Sequence, residues 1–173
     1  MITLKGEHIN LRALELEDLE ALYSLENDES LWELSHTITP YSRYILKQYI
    51  QNSYKDIFEV KQLRLVIENN ENKFLGLIDL FDFDPKNHRA GLGIVINNEE
   101  NRRKGLAKMA IELILNYSKE KLQLHQIYVN VSENNDVSLK LFIGFGFEVI
   151  GLKKDWNYDG GSFSNELLLQ YIL

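Results

Sequence analysis

GLGIVINNEENRRKGLAKMAIELILNY, residues 91–117, decides the fold. Ile94, Val95 and Ile96 form a β-branched run suited to a buried strand, and Leu106, Ala110, Leu113, Ile114 and Tyr117 recur at the helical interval. The stretch therefore reads as strand, polar loop, helix. Arg102, Arg103, Lys104, Gly105, Leu106 and Ala107 lie at the junction. The first backbone N–H groups of a helix lack intrahelical partners and the macrodipole is positive there, so an entry of this kind binds anions. Gly105 and Ala107 let a phosphate approach the main chain without meeting a large side chain. A Walker P-loop is excluded, because the lysine precedes the glycine.

Working outward, QLRLVIEN, KFLGLIDLFDFD and HRAGLGIVIN carry strand patterns separated by the polar turns NNENK and PKN, an antiparallel meander feeding the helix. Within the middle strand, strict alternation puts Asp79, Phe81 and Phe83 on one face and Leu80, Asp82 and Asp84 on the other. Upstream, HINLRAL reads as a strand and 15–25 as a helix through Leu16, Leu19, Leu22 and Leu25. A second helix starts near Ser42, after Pro40. Between these two helices lie Glu26, Asp28, Glu29, Trp32, Glu33 and His36. After the central helix come a strand at 126–132, a short helix from about Asp136 to Ile143, and two closing strands around the turn residues Asp159, Gly160 and Gly161.

Composition narrows the function. The length of 173 residues suits one domain spanning 1–173. A net charge of −7 argues against a nucleic-acid partner and is compatible with a cationic substrate. No apolar run approaches the ~20 residues that span a bilayer, and MITLKGEHINLR lacks a signal peptide's apolar centre, so the expectation is a cytoplasmic protein without a membrane partner. The absence of cysteine removes disulfides and a thiol nucleophile. His8, His36, His88 and His125 are scattered without metal-site spacing, so no metal is expected.

A second motif follows the strand after the central helix. Asn135, Ser138, Leu141, Phe142, Gly146 and Phe147 stand at the spacing of the second signature of the GNAT superfamily of N-acetyltransferases; the junction around Gly105 resembles its pyrophosphate signature. Both occur in order. LRALELEDLEALYSLEND, GLIDLFDFDPKNHRAGLGI and KKDWNYDGG are similar to ribosomal-protein-alanine and spermidine N-acetyltransferases of that superfamily, so the resemblance covers nearly the whole chain.

The resemblance implies an α/β (α+β) fold, a mixed, mostly antiparallel sheet of about seven strands, splayed after Ile94–Ile96, with helices on both faces. It implies acetyl-CoA as cofactor. Main-chain groups of Ile94, Val95 and Ile96 would pair with the pantetheine arm, those from Arg102 to Ala107 would hold the pyrophosphate, and Asn135 and Lys140 would contact pantetheine and adenosine. The implied acceptor is a primary amine, either a small polyamine-like molecule or a protein N-terminus. Glu26, Trp32, Glu33, Trp156 and Tyr158 lie in segments the resemblance sets around the acceptor groove. It also admits a homodimer, which no residue pattern establishes.

Direct transfer needs a neutral amine, and at neutral pH only roughly one alkylamine in a thousand is free base. A carboxylate that accepts the proton helps; Asp79, Glu33 and Glu26 are the candidates. Many relatives place a tyrosine after the leucine of the second motif to protonate the departing sulfur. Here that position is Phe142, which leaves Tyr128 or Tyr158 to substitute. The alternative reading is a CoA-binding sensor or partner-binding module that has lost turnover.

Overall fold

The structure, a computed structural model, describes residues 4–35, 37–97, 105–158 and 160–173, with the backbone alone at 33 and 34. Period-two apolar patterns become seven strands: β1 (Ile9–Ala13), β2 (Leu63–Asn69), β3 (Phe74–Asp84), β4 (Arg89–Ile96), β5 (Gln126–Ser132), β6 (Glu148–Tyr158) and β7 (Phe163–Ile172). They form one sheet in the order β1-β2-β3-β4-β5-β7-β6, antiparallel except for β4 beside β5. The helices are α1 (Leu19–Glu26), α2 (Trp32–Ser35), α3 (Arg43–Gln51), α4 (Ile57–Val60), α5 (Leu106–Glu120) and α6 (Asp136–Gly144). This is the mixed, mostly antiparallel architecture expected, with helices on both faces.

Strand alternation divides the core in two. On one face Ile78, Leu80, Leu92, Ile127 and Val129 pack with Ala110, Ile111 and Ile114 of α5 and with Phe142 of α6. On the other, Val66 and Leu77 pack with Leu22 and Leu25 of α1 and Leu46 and Ile50 of α3. Ser42 caps α3 by accepting from the Ile45 N–H at 3.2 Å, which explains the helix start after Pro40. The helix expected over 15–25 is a 3-10 turn, Leu16–Asp18, running into α1. The short helices α2 and α4 carry no periodicity long enough to read in advance.

One expectation about β3 is corrected. Asp82 adopts φ +48°, and the register to β4 shifts between Phe81 and Asp84. This bulge reverses the alternation, so Phe83 joins Ile78 and Leu80 in the cluster under α5 and does not share a face with Asp79 and Phe81.

The joint between β4 and β5 positions the site. Only three residue pairs connect them, Arg89–Gln126, Ala90–Ile127 and Gly91–Tyr128. From Leu92 to Ile96 the strand keeps its pairing to β3, while its other edge has no strand beside it among the described residues. Among the described residues no helix is long and apolar enough to cross a membrane.

Candidate active site

The open edge of β4 carries Ile94, Val95 and Ile96, all half-buried. Alternate residues of an unpaired strand edge offer N–H and C=O groups to an extended ligand. At the end of the following loop, Gly105 is the N-cap of α5 with φ +75° and ψ 4°. A Cβ built there meets nothing within 4 Å, so the space beside this turn is open. Gly105 supplies no capping side chain and the first turn of α5, which begins Leu106, Ala107, carries no acid. Among the described residues no side chain caps its first N–H groups, a geometry that suits a pyrophosphate. Arg102, Arg103 and Lys104 lie outside the described residues.

Asn135 is the N-cap of α6, its Oδ1 accepting from the Ser138 N–H at 3.1 Å. The second motif thus opens a helix facing the gap between β4 and β5. Lys140 sits exposed on α6.

Where the strands part lies a cavity of about 340 Å³, lined by Leu92 and Ile94 of β4, Asn130 and Ser132 of β5, Asn135 and Phe142 of the α6 segment, and Glu166 of β7, among others. A second cavity of about 290 Å³ shares Phe81, Gly93 and Ile94 with it and reaches Glu26, Leu31, Arg64 and Asp79. The two make one cleft. Phe81 is its floor: a Cβ on Gly91 would lie 2.3 Å from Cε2 of Phe81, so the ring lies where only a glycine leaves room. Tyr128 meets the same ring edge-on, centroids 5.9 Å apart.

Asp79, a carboxylate in an apolar strand, is paired, as its desolvation requires. Arg64, directly across on β2, donates to both its oxygens, Nε to Oδ1 at 2.7 Å and Nη2 to Oδ2 at 3.1 Å. Arg64 Nη1 donates to Glu26 Oε1 at 2.7 Å, and the guanidinium lies 5.5 Å from the Tyr49 ring centroid. Burial works to lower the Arg64 pKa, but the charge and hydrogen bonds of Asp79, with Glu26 behind them, raise it above its ordinary value. The Tyr49 hydroxyl is pushed up chiefly by burial. Glu26 Oε2 has no hydrogen-bond partner among the described residues. The Glu26 carbonyl accepts from Trp32 Nε1 at 2.9 Å, so the polar end of this indole holds the α1–α2 connection and is not offered to a ligand.

The opposite wall was not legible in advance. Glu166 is 5% exposed; its Oε1 accepts from Lys153 Nζ and its Oε2 from Asn157 Nδ2 at 3.4 Å. Lys153 Nζ also donates to Asn130 Oδ1 at 2.9 Å and lies 4.7 Å from the Trp156 ring centroid. Trp156 is thereby linked to the cleft through Lys153, though 59% exposed on edge strand β6. Tyr158, 64% exposed, packs on Phe163 at 5.0 Å. The Glu33 side chain lies outside what is described.

Phe142 is buried against Phe147, centroids 5.2 Å apart, and forms part of the cavity wall. Tyr128 reaches Asp82 Oδ2 at 3.4 Å, and burial followed by that carboxylate raises its hydroxyl pKa, which makes it a weaker acid. Neither cavity counts Tyr128 in its lining.

The open strand edge, the helix start at Gly105 and the gap between parallel strands suit an acyltransferase site. Residues 8–148 match the family model described as acetyltransferase (GNAT) domain, and the chain belongs to that family as an acetyl-CoA-dependent N-acetyltransferase. It is 30% identical over 143 residues to spermidine N(1)-acetyltransferase of Vibrio cholerae, covering 82% of this chain and 80% of that protein. The fold superposes on the crystal structure of a Vibrio cholerae spermidine N-acetyltransferase in complex with CoA and spermine with a TM-score of 0.87, at 24% identity and 96% coverage of both chains. A dodecameric structure of the Vibrio cholerae enzyme matches with a TM-score of 0.80 and 27% identity over 96% of this chain and 95% of that one. The latter corrects the expected homodimer: the related enzyme assembles as a dodecamer.

Proposed function

We propose that the chain acetylates polyamine-like primary amines by direct transfer within a ternary complex. The observation that carries this is the acceptor-side wall. Two carboxylates, Glu26 and Asp79, face one guanidinium, Arg64, which leaves one net negative charge and, among the described residues, an uncommitted Glu26 oxygen beside an apolar floor. That combination suits a cation on an aliphatic chain. The similarity to spermidine acetyltransferases supports the same acceptor class.

In this reading Ile94, Val95 and Ile96 hold the pantetheine arm, the turn from Arg102 to Ala107 holds the pyrophosphate, and Asn135 and Lys140 flank the remainder. Acetyl-CoA supplies an activated acetyl group. The amine nitrogen forms a bond to the acetyl carbon, the carbon–sulfur bond breaks, the nitrogen loses a proton and the thiolate gains one. A backbone N–H near Val95 steadies the oxyanion, a contribution of ~3 kcal/mol. Glu26 keeps one oxygen without a partner among the described residues, as a cation's anchor requires; Asp79 has both of its own on Arg64. Phe142 cannot protonate sulfur, and a thiol pKa of ~8.5 makes thiolate a tolerable leaving group without a donor there.

One continuous sheet shared by both hydrophobic clusters supports a single domain over 1–173. A cytoplasmic location suits the use of acetyl-CoA. Exposed Val149, Ile150, Leu152 and Trp156 on edge strand β6 support a higher-order assembly, which sedimentation would size.

The test is acceptor-dependent CoA release from acetyl-CoA, followed with a thiol reagent across spermidine, spermine, alkylamines, amino acids and an Ala-initiated peptide. Spermidine turnover well above the others is expected. CoA binding by calorimetry without turnover on any amine would favour the sensor reading that Phe142 motivates.

A further inference from the structure

The cleft has two ends of different charge, joined by one apolar floor. At the α1 end, Glu26 and Asp79 against Arg64 carry a net negative charge. At the β7 end, Glu166 and Lys153 balance each other, flanked by Asn130 and Asn157. Phe81, Gly93 and Ile94 belong to the lining of both. A nitrogen at the α1 end is stabilised as an ammonium, which cannot attack a carbonyl carbon. A nitrogen at the β7 end meets a neutral pair, so its charged form gains no comparable advantage. The β7 end is also the one that opens between β4 and β5, with Asn135, Ser138 and Phe142 on its cofactor side.

Resting on the polyamine reading above, we infer that the cleft sorts the nitrogens of one acceptor. A distal ammonium is anchored by Glu26, the methylenes cross Phe81, and the nucleophilic nitrogen donates an N–H to Glu166. Glu166 has the capacity for it: a carboxylate has about four lone-pair sites, and among the described residues Oε2 is engaged only by the long contact from Asn157. Arg64 tunes the anchor by cancelling one of its two negative charges, and Lys153 keeps the reactive end neutral. The enzyme then prefers an acceptor with a second cationic nitrogen over a simple monoamine.

The experiment compares spermidine with butylamine in the wild type, Glu26→Gln and Glu166→Gln. A charge-assisted hydrogen bond lost at the anchor should raise the spermidine KM about tenfold or more while kcat moves less than about threefold. Butylamine, lacking the second nitrogen, should change little. Glu166→Gln should lower kcat about tenfold on both amines, with the spermidine KM within about threefold. If that variant fails to fold because Lys153 loses its partner, Glu166→Gln with Lys153→Met restores the balance and carries the same expectation. Equal effects of Glu26→Gln on both amines, or wild-type kinetics in Glu166→Gln, would overturn the inference while leaving the polyamine reading intact. A wild type that turns over butylamine but not spermidine would overturn the polyamine reading itself, and the inference with it.

Discussion

Arg64 on β2 and Asp79 on β3 stand directly opposite each other in the sheet and are joined by two parallel hydrogen bonds of 2.7 and 3.1 Å. The third arm of the guanidinium reaches Glu26 at the end of α1, so one side chain fastens a helix to two strands at the edge of the cleft. Removing it leaves two carboxylates, 17% and 18% exposed, without a counter-charge. Arg64→Gln is expected to cost about 2–4 kcal/mol in urea unfolding, and Arg64→Lys to recover less than half of that, because an ammonium cannot fork to both partners. A loss below ~0.5 kcal/mol would show that the network contributes nothing beyond its surface value.

The open turn at Gly105 makes a separate prediction. Gly105→Asp places a carboxylate beside the first N–H groups of α5, where the proposed pyrophosphate would sit. At φ +75° any side chain costs about 1–2 kcal/mol, and aspartate tolerates this conformation better than most. The variant should therefore fold and bind CoA at least about tenfold more weakly by calorimetry. Unchanged affinity in a folded variant would remove the pyrophosphate from this turn.

Gly91 is constrained by a neighbour and not by its own backbone. A methyl group there would overlap three carbons of the Phe81 ring, the nearest at 2.3 Å. Gly91→Ala should displace the ring, destabilise the fold by about 1–3 kcal/mol and lower kcat/KM for the amine more than for acetyl-CoA. Equal losses for both substrates would argue that Phe81 does not floor the acceptor side.

Acid should loosen the β1 end of the sheet. Arg12 donates to both oxygens of Asp18, at 2.7 and 2.9 Å, and to Glu68, while the Glu15 N–H adds a fourth bond at 2.8 Å. Burial works to raise the Asp18 pKa, but Arg12 and the Glu15 N–H together hold it below the ordinary carboxylate range. A depressed folded-state value means that the stabilisation is complete above about pH 4, the unfolded value, and is lost as pH falls through the folded one. Urea midpoints measured from pH 6 downward should fall less steeply for Asp18→Asn than for the wild type. Parallel slopes would show that Asp18 does not contribute.

The elements to which the proposed cofactor side belongs were readable because each rests on local signals. The run Ile94 to Ile96, the glycine before Leu106 and the asparagine before Asp136 specify a strand and two helix starts without reference to anything distant. The acceptor side was not, because its contacts depend on register. Counting outward from the Glu68–Phe74 pair sets Arg64 opposite Ile78, on the wrong face; the irregularity between Ile67 and Glu68 adds one residue and brings it to Asp79. The reversal at Asp82 is hidden for a similar reason, since nothing in FDFD announces a left-handed aspartate. Glu166 in NELLLQ reads as an ordinary strand carboxylate until β6 delivers Lys153 beside it.

The three rungs between β4 and β5 have a mechanical consequence. They are a seam between a four-stranded leaf and a three-stranded one, and beyond them the leaves are joined by the apolar layer beneath α5 and Phe142 of α6. In the proposed cofactor pose, a pantetheine arm laid along β4 would act as a splint across that seam. The cofactor is then part of the scaffold as well as a reactant: at a hundred times its dissociation constant it would add about 2.7 kcal/mol to the folded state. The lifetime of this protein would rise and fall with the acetyl-CoA around it.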